Sequence, residues 1–88
     1  MATTARAVTS ACAEIKRQIT LVKNEIKAEE SLRRAQVARL EALQHQTPPD
    51  STQIGKIQAR IGAIDAAIIE DRATLDILED DFRMRCGG

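Results

Sequence analysis

Thr47-Pro48-Pro49-Asp50-Ser51 is the one strong breaker cluster in the chain, and it separates two long segments of helical periodicity. Proline at 48 and 49 cannot continue a helix that reaches them. Asp50 or Ser51 can accept hydrogen bonds from the free amides of a new helix, and Gln53 follows Asp50 at capping-box spacing. Helix one is expected over about residues 4–46, the turn over 47–50 and helix two over about 51–85, where Gly87 and Gly88 stop it. So short a connection forces the two rods to lie antiparallel.

Working outward from the turn, a stripe with alternating three- and four-residue spacing runs along helix two: Ile54, Ile57, Ile61, Ile64, Ile68, Leu75, Leu78 and Phe82, interrupted only by Asp71. Helix one carries the matching stripe Val8, Cys12, Ile15, Ile19, Val22 and Ile26. Polar Glu29, Arg33 and Gln36 follow, and Leu40 and Leu43 complete it. Folding at the prolines makes facing residue numbers add to about 97, so Leu43 meets Ile54, Val22 meets Leu75 and Ile15 meets Phe82. The predicted fold class is all-α: a single two-helix antiparallel coiled-coil hairpin spanning residues 1–88, packed into a larger helical assembly.

Charge supports the same pairing. Helix one has eight basic residues against five acids, and helix two, counted from Asp50, has the reverse. The register sets Lys16 and Arg17 level with Asp80 and Asp81, Lys23 towards Glu79 and Glu30 towards Arg72. Arg39 against Arg60 is the one unfavourable pairing. Exposed pairs contribute about 0.2–1 kcal/mol each, so they select orientation more than they stabilise.

Composition narrows the functional classes. With 13 Lys and Arg against 13 Asp and Glu, the chain has no global basic field for nucleic acid or an anionic surface. Arg33, Arg34 and Arg39 would be the residues to touch nucleic acid, but Phe82 is the only aromatic and no stacking platform exists. Charged residues interrupt every helical turn or two, which leaves no membrane span. Met1 to Ala13 lacks the apolar stretch of a secretory signal, although it is faintly transit-like. The expected location is cytoplasmic.

No catalytic set is expected: a rod of two helices offers no enclosed pocket in which carboxylates could be tuned, and there is no glycine-rich phosphate loop or nucleophile–base pair. His45 is the only histidine and lies beside the turn, far from either cysteine, so a metal site lacks ligands. Neither a cofactor nor a small-molecule substrate is expected. Glu29, Arg33, Gln36 and Asp71 read as a polar layer that fixes register, with a partner-recognition or hinge site as the alternative.

The candidate partner-binding residues are Leu21, Leu32, Ile69, Ala73 and Ile77, which point away from the seam. Gly55, Ala59, Gly62 and Ala66 form a further stripe of small residues. A bare hairpin buries one narrow stripe per helix, poor compensation for ordering so long a chain, and a second helical partner would remove the deficit. A structural or scaffolding subunit that mediates protein–protein interaction is therefore expected, with homo-oligomerisation one route. A small secretion-type chaperone or adaptor that shields a helical partner is the alternative. Cys12 and Cys86 converge at the open end, either as small apolar thiols in a reducing cytosol or as a disulfide staple.

Two short resemblances exist. The ending Gly87-Gly88 is similar to that of ubiquitin-like modifiers, whose β-rich fold this chain does not make. Ile64-Asp65-Ala66-Ala67-Ile68-Ile69 with the proline turn resembles pieces of type III secretion needle subunits, in which the comparable segment ends the chain; here 19 residues follow it.

Overall fold

The computed structural model describes the backbone of residues 2–87 and the side chains of residues 10–87. Two helices, α1 (Ala2–Gln44) and α2 (Ser51–Cys86), pack against each other as an antiparallel hairpin. The molecule is a rod whose Cα trace measures 72 × 17 × 14 Å. α1 is rich in Ala, Leu, Glu, Arg, Lys and Gln, residues that lose little freedom on becoming helical, whereas α2 leans on Ile, Ala, Arg and Asp and owes more of its helicity to the packing of its isoleucine stripe.

Local chemistry sets the ends. α1 stops at Gln44, two residues before the breaker cluster alone would place its end. The His45 amide still donates to the Glu41 carbonyl at 3.2 Å and Nδ1 of the His45 ring lies 2.7 Å from the same oxygen, while the Gln46 amide turns to Leu43 at 3.3 Å. This tightened last turn occupies carbonyls that would otherwise be left open. At the start of α2 the Asp50 carboxylate accepts from the Gln53 amide at 3.1 Å, with Asp50 in an extended conformation suited to a cap. At the far end Gly87 takes φ +66, a left-handed conformation that glycine adopts without a Cβ penalty. Arg83 and Arg85 in the last turn suit the negative end of the helix.

The seam follows the three-four stripe residue by residue. Ile15, Ile26, Ile57 and Ile68 form its buried core, and Ile57 is fully shielded from solvent. Cys12, Ile19, Val22, Leu40 and Leu43 on α1, with Ile54, Ile61, Ile64, Leu75, Leu78 and Phe82 on α2, are half-buried around them. Val8, expected to extend the seam, lies outside the described side chains.

Two cross-links fix the register independently. Arg33 donates to Asp65 at 2.5 Å, and Cys12 is bonded to Cys86 with the Cα atoms 5.9 Å apart. Both pairs add to 98 in residue number, within a residue of the facing rule read from the isoleucine stripe. The Glu30–Arg72 pair anticipated from the charges is present at 2.7 Å. The acids level with Lys16 and Arg17 turn elsewhere. Arg17 pairs with Glu14, Asp80 with Arg83, and Asp81 with Arg85 at 2.8 Å, all within one helix. A partner one turn away on the same rigid helix is already positioned, so it competes well with one across the seam.

Candidate functional site

The candidate partner-binding residues stand on the outside of the rod. Leu21 is 56% exposed, Leu32 50%, Ile69 70% and Ile77 69%. Ala73 is exposed as well. Sequence reasoning passed over Met84, the most exposed large apolar side chain among the described residues at 85%, although it lies two turns beyond Ile77 on the same face and that spacing could have flagged it. The small-residue stripe is also outside: Gly55, Ala59, Gly62 and Ala66 are exposed, and a Cβ built on either glycine would meet nothing within 4 Å.

The middle of the seam holds a different chemistry. Arg33, although at a seam position, reaches sideways with Nε 2.5 Å and Nη2 3.5 Å from the two oxygens of Asp65. Fixing its guanidinium there raises the already high Arg33 pKa, through the hydrogen bond to Asp65 first and its charge second. The residue that could have balanced Glu29 one turn earlier is thereby committed to another partner. Glu29 shares the seam with Asp71, and its carboxyl is held above the usual range by removal from water. The Asp71 carboxylate beside it pushes in the same direction, as an acceptor for the protonated form and as a like charge against the ionised one, and Glu25 adds further repulsion. Oε1 of Glu29 and Oε1 of Gln36 are buried without hydrogen-bond partners. Such atoms forfeit solvation for nothing in return, so the polar layer weakens the centre of the hairpin while marking its register.

At the open end the Cys12–Cys86 disulfide ties the helices beside Phe82 and Ile15, spanning a sequence separation of 74. A link between two helices restricts their separation, which no bond within one helix would do. Two recesses on the described surface are grooves beside the seam, of about 630 and 610 Å³, open along their length. Lys23 and Asp76 contribute to both, so each is bordered by charge of either sign over a floor of Ile26, Leu75, Ile19 and Phe82. Among the described residues no group of three or more His, Cys, Asp or Glu could hold a metal ion. No described helix is long and apolar enough to cross a membrane. Compared with known protein families, curated proteins and solved structures, the chain matches none.

Proposed function

We propose that the chain is a non-catalytic coiled-coil subunit that binds other proteins through the outer faces of its helices and contributes a hairpin to a larger assembly. The observation that carries this reading is the mismatch between inside and outside. Among the described residues the seam buries four isoleucines, whereas five large apolar side chains stay at least half exposed. Isolated exposed leucines are ordinary on protein surfaces, but here they recur along a rod too thin to bury them itself. Open grooves bordered by lysine, arginine and aspartate favour binding over chemistry.

Ile69→Asp and Ile77→Asp test the reading. Both positions are about 70% exposed, so each variant should keep the helical content and melting behaviour of the hairpin while losing proteins that co-purify with it at fixed stoichiometry. Unchanged co-purification in both variants removes the case. A secretion-type chaperone or adaptor is the second reading, supported by apolar positions spread along both helices, as shielding an extended helical client requires. It predicts partners that exchange rather than remain. As for location, a cytoplasmic setting would keep Cys12 and Cys86 as thiols, and an oxidising one would keep the staple.

A further inference from the structure

The heptad register divides the rod into two unlike broad sides. Glu30 lies one turn after seam residue Ile26 and Arg72 one turn after seam residue Ile68, and their contact at 2.7 Å marks one side as charged. Both grooves open on that side and share Lys23 and Asp76, and Arg72 borders one of them. The opposite side receives the residues immediately before, and two after, the same seam positions. On α1 these include Leu21 and Leu32, and on α2 Ala67 and Ile77. Antiparallel pairing sets Leu21 level with Ile77 and Leu32 level with Ala67, with Ala28, Ala35 and Ala63 filling the surface between.

Charge on this apolar side is segregated lengthwise. Glu25 and Arg39 stand two turns to either side of Leu32, the acid towards the open end and the base towards the turn. Glu70 joins the acidic half, and Arg60 lies two turns from Ala67 in the basic half. Arg39 faces Arg60 across the hairpin, and among the described residues none of these four charged groups forms an ion pair. Within one chain the arrangement is unfavourable.

We infer that this side docks a second copy of the chain, antiparallel, with a two-fold axis passing Leu32 and Ala67, to complete a four-helix bundle. The inference rests on the proposal that the outer faces bind protein. Rotation about that axis lays Glu25 of one copy over Arg39 of the other and brings Glu70 within one helical turn of Arg60, twice by symmetry, so the acidic half of each copy covers the facing arginines of its partner. It also buries Leu32 and Ala67 at the centre, where excluded water strengthens the contact. Small alanine side chains between the leucines allow close approach of the helices. A side about 72 Å long and 17 Å wide offers room for the ~800 Å² per partner that stable dimers bury.

Sedimentation equilibrium of the full, disulfide-bonded chain provides the test, with a mass twice 9.7 kDa expected. Leu32→Asp, at a half-exposed position, should keep the helical circular dichroism and weaken association by roughly 30-fold or more. A chain carrying Arg39→Glu and Arg60→Glu and a chain carrying Glu25→Lys and Glu70→Lys should each dissociate alone. An equimolar mixture of the two should restore the doubled mass. Wild-type chain that stays monomeric at millimolar concentration overturns the inference. So does a dimer indifferent to Leu32→Asp and to both charge reversals. Either failure leaves the broader protein-binding proposal to stand or fall on co-purification with Ile69→Asp, a position off this side.

Discussion

Reducing the Cys12–Cys86 bond should lower the melting temperature of the rod by about 20 °C. The bond closes a loop whose ends are 74 residues apart in sequence. In the chain-entropy description, cross-linking so long a loop removes enough freedom from the unfolded chain to stabilise the fold by about 4 kcal/mol. Unfolding entropy near the midpoint is roughly 2 cal/mol/K per residue, so for 88 residues that loss converts to a shift on the order of 20 °C. Far-ultraviolet circular dichroism with and without a phosphine reductant measures it, at one protein concentration because any self-association makes the midpoint concentration-dependent. The double variant Cys12→Ser, Cys86→Ser should melt with the reduced protein. Helical content at low temperature should be nearly the same in all forms, since residues 15–43 and 54–82 hold each other without the bond. A fall of less than about 5 °C would refute the reasoning, because the staple would then restrict little that the seam does not already restrict. Reoxidation that yields only links between chains would refute the register itself.

Two further perturbations probe the seam. Ile57→Ala removes most of a side chain fully shielded from solvent and should cost about 2–5 kcal/mol in chemical denaturation, whereas the same change at exposed Ile69 should cost far less in an isolated hairpin. Glu29→Gln should raise the melting temperature at neutral pH. The folded state holds the Glu29 carboxyl above its ordinary 4.5, so the folded chain binds the extra proton more tightly and its contribution is complete below pH 4.5. That contribution fades as pH rises through the raised value, and the advantage of glutamine should therefore grow over the same interval. A gap between variant and wild type that stays constant with pH would contradict this assignment.

The apolar seam was legible because an antiparallel hairpin with one proline turn leaves a single unknown, the register, and eight stripe residues of α2 constrain it together. The polar layer was legible as an interruption and not as a set of partners. Arg33 occupies a seam position, yet its long side chain turns out of the apolar stripe to Asp65, level with it but beside Ile64 rather than on the stripe. Stripe arithmetic assigns facing backbones, and a flexible guanidinium has a reach of several ångströms beyond that. The same limit explains Arg17, Asp80 and Asp81, which were level with opposite charges across the seam and found nearer partners on their own helices. Cys12 and Cys86 have short side chains, so for them facing position and contact coincide. The outer candidate residues could be named from the stripe they avoid, but their division between two broad sides emerged only once the Glu30–Arg72 contact showed which side carries the charge.

The disulfide also has a mechanical meaning. Residues before Cys12 and the residue after Cys86 leave the rod at the same end, on either side of a covalent bridge. Tension applied through those two points travels across the sulfurs and bypasses the seam, so the hairpin behind the bridge is unloaded and keeps its length. Reduction reroutes the same tension into the helix pair, which must then part from the open end like a zip, beginning at Ile15 and Phe82 and meeting the weakened polar layer halfway. One chemical step thereby exchanges a strut that ignores pulling for a tether that lengthens under it.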